Sequence, residues 1–122
     1  LFAETGGFLV AGTPGAEESP KLAPAAGDFS VVKTRWSAFF ATDLDALLRR
    51  LGIHRLILTG VQTPNCIRAT ASDALSLDYA TTVLADATAS QTDEIQQYNL
   101  RDMAAMGVEI MTVSQFEQAL GL

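Results

Sequence analysis

The chain has 122 residues, of which 48% are hydrophobic and 18% charged, with a net charge of −6 and one cysteine. That is the length of one domain, assigned here to residues 1–122, with enough apolar material for a core. An acidic chain does not attract nucleic acid or an anionic membrane, no apolar run approaches a membrane span, and a lone cysteine excludes an internal disulfide framework and fits a reducing cytoplasm.

The start, Leu1-Phe2-Ala3-Glu4, lacks the basic residue and long apolar stretch of a signal peptide, and it is not an initiator methionine. Phe8-Leu9-Val10 is a short apolar piece before the turn-rich stretch Gly12-Thr13-Pro14-Gly15-Ala16-Glu17. Pro20, Pro24 and Gly27 keep the next segment irregular. Phe29 to Lys33 reads as a strand, with β-branched residues at Val31 and Val32. Asp43 to Leu51 reads as a helix capped by Thr42 and ended by Gly52, with Leu44, Leu47, Leu48 and Leu51 on one face. Leu56 to Thr59 is a buried strand, and Ile67 to Leu77 a helix whose Ile67, Ala71, Ala74 and Leu75 share a face. Thr82 to Ala85 is a further strand. Thr92 to Met106 is a helix closed by Gly107, with Ile95, Met103 and Met106 in the core. Val108 to Val113 is the last strand, and Ser114-Gln115-Phe116-Glu117 a capping box that opens a short final helix. Alternation of this kind makes an α/β fold: a mostly parallel sheet with helices on both faces and a ligand site beyond the carboxyl ends of the strands.

Gly60-Val61-Gln62-Thr63-Pro64-Asn65-Cys66 carries most of the functional information. It places Cys66 where a strand turns into a helix, with Pro64 suited to the first helical position and Thr63 able to cap it. Unpaired N–H groups and the helix dipole favour a thiolate there, the nucleophilic form. A lone cysteine of unknown setting is more often structural; at this position the nucleophile is the stronger reading. Lys33 ends its strand near the same crevice, where it either snorkels to solvent or stabilises a thiolate and a developing anion. Trp36, Phe39 and Phe40 either wall an apolar pocket or pack on the neighbouring helix. His54 leads into the amino end of a strand, away from the site, which argues against a Cys–His dyad and a histidine-rich metal centre. Asp73 and Asp78 read as hydrogen-bonding and solvated residues, and Asp86 as a tie for the Ala87-Thr88-Ala89-Ser90 loop. Gly12-Thr13-Pro14-Gly15 lacks the lysine and context of a phosphate loop.

Taken in order, Gly12-Thr13-Pro14-Gly15-Ala16-Glu17, Val32-Lys33, Ser37-Ala38-Phe39-Phe40, Leu44 to Ile53, Leu58 to Cys66, Thr70-Ala71-Ser72-Asp73-Ala74 and Asp86-Ala87-Thr88-Ala89-Ser90 resemble the isochorismatase-like cysteine hydrolases over nearly the whole chain. The resemblance implies a three-layer α/β/α fold with a Rossmann-like sheet. It implies a Cys66 nucleophile, a catalytic Lys33, and a cis peptide between Val61 and Gln62 that aims the N–H groups of Gln62 and Cys66 into an oxyanion hole. Asn65 and the aromatic residues Trp36, Phe39 and Phe40 would contact substrate. A cysteine favours the amidase branch: attack on a small amide, carbamoyl or ureido compound through a thioester. The family's aspartate base ends a first strand that would precede Leu1. Metal-dependent nicotinamidases carry a histidine where this chain has Phe8, so neither zinc nor another cofactor is expected. The resemblance further implies a homo-oligomer, or a complementary amino-terminal segment that pairs with the Leu56–Thr59 strand. The alternative is a non-catalytic member or fragment that binds a small molecule or forms an oligomer.

Overall fold

The computed structural model describes residues 10–121. Phe8 and Leu9 of the first apolar piece, and Glu4, lie outside them. The chain divides into two units, Leu1–Ser30 and Val31–Leu122. The described part of the first holds short 3-10 turns at Pro14–Ala16 and Pro20–Leu22, each with proline near its start and neither burying a residue. Proline's fixed φ suits an opening helical position, and a single turn buries too little to do more.

The second unit opens without regular secondary structure. The expected strand at Phe29–Lys33 is not formed. Phe29 is 61% exposed and Val32 87%; β-branched residues favour a strand only where a neighbouring strand and a covering face receive them. Helix α1 spans Leu44–Arg50. Asp43, not the expected Thr42, stands at the cap position, although Thr42 Oγ1 accepts from the Leu44 N–H at 3.3 Å. Leu44, Leu47 and Leu48 are half-buried and Leu51 is exposed. The polar side of α1 is tied down through Tyr79: Asp45 Oδ1 accepts from the Tyr79 hydroxyl at 2.7 Å, the Arg49 guanidinium lies 4.9 Å from the ring centroid, and Arg49 Nη2 donates to the Leu77 carbonyl at 2.8 Å.

The rest alternates strand and helix. β1 (Arg55–Val61) runs into a single π-helical turn at Thr63–Ile67 and then α2 (Arg68–Ser76). β2 (Ala80–Ala89) leads to α3 (Asp93–Met106), β3 (Glu109–Met111) and α4 (Val113–Leu120). The sheet has the order β1-β2-β3 and all pairings are parallel. β2 is longer than the Thr82–Ala85 stretch because its second half pairs with the end of β1 beyond a bulge: Leu58 lies opposite Val83, but Gly60 opposite Thr88. Gln96 from α3 straps that bulge, with Nε2 3.3 Å from the carbonyls of both Ala85 and Thr88 and 3.0 Å from Thr88 Oγ1. Carbonyls that a bulge withdraws from the ladder need such a donor.

On one face of the sheet, α2 and α3 bring Ile67, Ala71, Leu100 and Met103 against Val83 and Val108, with Leu58, Leu75 and Ile110 at the margin. Strand alternation turns Thr82 and Leu84 to the opposite face, where α4 lies, and the result is three layers. Met103 is fully buried as expected, whereas Ile95 is 36% and Met106 40% exposed, contrary to expectation. The buried stripe of α3 runs through Gln96, Leu100 and Met103. At 3.6 residues per turn, Ile95 stands about 100° off that stripe, and Met106 lies in the last turn. Gly107 closes α3 with φ 105°, a left-handed conformation that suits glycine. The last capping box is shifted from its expected place: Thr112, not Ser114, is the cap, with Thr112 Oγ1 accepting from Gln115 N–H and Gln115 Oε1 accepting from Thr112 N–H. β3 ends at Met111, so the helix begins earlier than the Val108–Val113 strand reading allowed. Asp86 Oδ1 accepts from the Val113 N–H at 2.9 Å and steadies the same helix start.

Two outcomes follow from this packing. In urea denaturation, Met103→Ala costs about 2–5 kcal/mol through lost burial and a residual cavity, whereas Ile95→Ala changes stability by only about 0.5 kcal/mol. Burial first, then the hydrogen bond to Asp45, raises the Tyr79 phenol above its ordinary 10.0, although Arg49 opposes the shift. A raised pKa favours the neutral form in the folded chain. Its stabilisation is complete below the ordinary value and is lost as pH rises past it. Tyr79→Phe therefore loses less stability than the parent between about pH 9 and about pH 11 in denaturation titrations.

Candidate active site

Cys66 sits in the π-helical turn between β1 and α2, half-buried and free. The turn opens on the Gln62 carbonyl and closes on those of Thr63 and Asn65, which both take the Arg68 N–H. The Gln62 carbonyl takes the N–H of Asn65 at 3.1 Å and that of Ile67 at 3.3 Å. Ile67 then anchors the turn in the core at 7% exposure. Pro64 lies in the first positions, where its missing N–H costs nothing. Thr63 does not cap the turn. It is fully buried, and its Oγ1 donates to the Ala89 carbonyl at 3.1 Å. The hydroxyl faces Ala89, the last residue of β2. π-helical turns of this kind recur at functional sites. The Val61–Gln62 peptide is cis.

Lys33 reaches the turn from outside the sheet. Its Nζ donates to Cys66 Sγ at 3.3 Å and to the Arg35 carbonyl at 2.9 Å. An ammonium held between a carbonyl and a sulfur can stabilise a thiolate and, after attack, a neighbouring oxyanion. Among the described residues, Lys33 is the side-chain hydrogen-bond partner of Cys66. The loop that follows Lys33 is docked on α2: Ala38 N–H donates to Thr70 Oγ1 at 3.0 Å, and Ser37 is buried. Its aromatics diverge. Phe39 stacks on Tyr79 with ring centroids 5.8 Å apart, while Trp36 and Phe40 are 62% and 58% exposed. Asn65 is half-buried beside Cys66 in the turn.

Gln91, Thr63 and Thr70 were not singled out as site residues from the sequence. Gln91 Nε2 lies 2.6 Å from Gln62 Oε1 and ties the loop after β2 to the cysteine turn. Only the quoted Thr70-Ala71-Ser72-Asp73-Ala74 segment carried a signal for Thr70; Gln91 had none. His54 is exposed at the amino end of β1, away from Cys66. Among the described residues, no three His, Cys, Asp or Glu side chains converge to hold a metal, and no helix is long and apolar enough to cross a membrane.

Comparison with known proteins places this geometry in context. The family model described as the isochorismatase domain matches residues 2–115. A protein of Arabidopsis thaliana described as a probable inactive nicotinamidase is 45% identical over 116 residues, which is 93% of this chain and 59% of that protein. A ureidoacrylate amidohydrolase of Serratia proteamaculans is 50% identical over 68 residues, 56% of this chain and 27% of that protein. The crystal structure of an isochorismatase family protein from Desulfovibrio vulgaris superposes with a TM-score of 0.91 at 47% identity, covering 100% of this chain and 64% of the other. The chain thus spans less than two thirds of the length of these relatives.

The contact between Lys33 and Cys66 is directly testable. Lys33→Met should slow alkylation of Cys66 by iodoacetamide at neutral pH by about tenfold, on the scale of a lost charge-assisted contact, with little change in the thermal midpoint because Lys33 is exposed. Mass spectrometry of the modified peptide provides the rate.

Proposed function

The chain belongs to the isochorismatase family, and from that membership we propose that the protein it represents hydrolyses a small amide, carbamoyl or ureido compound with Cys66 as nucleophile. The 3.3 Å contact between Lys33 Nζ and Cys66 Sγ carries this reading, because it supplies a cation where both the thiolate and the first oxyanion would need one. Cys66 Sγ forms a bond to the carbonyl carbon, and the carbonyl oxygen becomes an oxyanion facing the N–H groups of Gln62 and Cys66. The C–N bond then breaks, and the departing nitrogen takes the proton that the thiol gave up. Water attacks the thioester carbon, the C–S bond breaks, and the acid is released as a proton of that water passes to sulfur. The proton carrier between these steps is an aspartate in the family resemblance, outside the residues in hand. Trp36 and Phe40, both exposed on the loop docked to α2, are the side chains proposed to meet the substrate. No metal enters the scheme.

Similarity to a ureidoacrylate amidohydrolase supports the amide class. Similarity to a plant protein described as probably inactive favours a second reading, in which the site binds a small molecule or serves an oligomer without turnover.

Release of ammonia or amine from ureido and carboxamide compounds by the full-length protein tests both readings. Cys66→Ala abolishes release and leaves the unfolding midpoint nearly unchanged, since the half-buried side chain loses little volume. Retained turnover in that variant removes Cys66 as nucleophile. A parent protein that binds these compounds without cleaving them establishes the second reading.

A further inference from the structure

The turn that holds Cys66 is fastened to β2 and to the loop after it at three successive positions. Val61 pairs with Ala89 in the sheet. The buried Thr63 hydroxyl donates to the Ala89 carbonyl. Between them, the Gln62 side-chain oxygen lies 2.6 Å from Gln91 Nε2. The first two ties are main-chain pairing and a buried hydroxyl, which any stable version of the fold would need. The third is different. It joins two side-chain amides outside the core, one half-buried and one exposed, so it adds little to packing. It acts on the residue whose carbonyl opens the turn by accepting from Asn65 and Ile67.

Gln91 is itself held in place. On either side of it, Ser90 Oγ donates to the Thr92 carbonyl at 3.0 Å, and Thr92 Oγ1 caps α3 by accepting from the Ile95 N–H at 3.2 Å. The Thr92 carbonyl also receives the first helical N–H, that of Gln96. The Gln91 side chain therefore projects from a loop anchored at the start of a 14-residue helix. An amide fixed at one end in this way limits the rotation of the residue to which it bonds at the other.

We propose that Gln91 is a positioning residue. Through its hydrogen bond to the Gln62 side chain, it holds the Gln62 peptide so that its N–H meets the oxyanion formed on a substrate bonded to Cys66. The inference rests on the Cys66 nucleophile proposed above and extends it to a residue that does not touch substrate. The pairing does not depend on which amide is the donor, since a turn of both amides preserves it.

Two probes separate positioning from simple loosening of the site. Benzaldehyde adds reversibly to a thiol: the S–C bond forms, the C=O π bond opens, and the thiol proton passes to the oxygen. The resulting hemithioacetal places its oxygen where the oxyanion would sit. Iodoacetamide alkylates the same sulfur by displacing iodide and needs no oxyanion donor. On the full-length protein, Gln91→Met should weaken the benzaldehyde adduct by about tenfold, within the range of coupled neighbouring side chains, and leave the iodoacetamide rate unchanged. Gln62→Met should do the same, and the double variant should be no weaker than either single one. Equal losses with both probes, an unchanged benzaldehyde adduct, or losses that multiply in the double variant would each overturn the positioning role. If the parent forms no Cys66 adduct while Gln91 and its neighbours are intact, the nucleophile reading itself fails, and this inference with it. A parent adduct that Cys66→Ala removes, together with a neutral Gln91→Met, rejects the positioning role alone.

Discussion

The site depends on a main-chain turn that opens on the Gln62 carbonyl and closes on those of Thr63 and Asn65. Gln62 accepts from both Asn65 and Ile67, and those two bonds turn the end of a strand into the first part of a widened helical turn. Ile67 then points into the core against Ala71 and Val83, and α2 continues from it in register. Cys66 lies one residue before that anchor. Its half-burial is a consequence of the turn: the core takes residue 67, and residue 66 is left at the core's edge. Local hydrogen bonding therefore sets where the sulfur is, and hydrophobic burial sets how firmly it stays there.

The turn needs a partner, and the bulge in β2 provides one. If β2 had continued in plain register, Ala85 would have faced Gly60; instead the strand slips until Thr88 does. The slip brings Ala89 beside Val61 and within reach of Thr63. The displaced carbonyls of Ala85 and Thr88 are then met by Gln96 from α3, which explains a glutamine on the buried stripe of that helix. Irregularity in the strand, a polar residue on a buried stripe and a buried threonine are one arrangement seen from three elements. Electrostatics play a narrower part. The chain as a whole is acidic at −6, so the ammonium of Lys33 beside Cys66 is a local feature set against the general charge.

Much of this was legible in the residues. The β1 strand, the helix after Cys66 and α3 appear where apolar spacing and glycine stops put them, although Leu56, Ile57 and Leu58 of β1, read as buried, are only half-buried, and of the expected α3 core only Met103 is buried. The Lys33–Cys66 juxtaposition was open between two readings at the level of position alone, and the 3.3 Å contact is what the structure adds to it. Three local readings were displaced by tertiary context. Val31 and Val32 have strand chemistry but no strand to join among the described residues. Thr63 has capping chemistry, yet its hydroxyl is drawn to the Ala89 carbonyl. Ser114 stands in a good capping pattern, yet β3 stops at Met111 and hands the role to Thr112.

The sequence by itself determined the class of fold and the place of the one cysteine, since strand–helix alternation and a strand-to-helix junction at Gly60–Cys66 are written in the order of residue types. Only the tertiary structure decided which side chains surround that cysteine. Lys33 stands 33 positions before Cys66, and Gln91 stands 29 positions after Gln62. The motifs of the resemblance pointed to Lys33 beside Cys66 but not to their contact, and the pairing of Gln91 with Gln62 has no period or motif to betray it. Contacts of that kind depend on how far one strand slips against its neighbour and on how a loop docks on a helix. Those are properties of packing between elements, and no local run of residues encodes them.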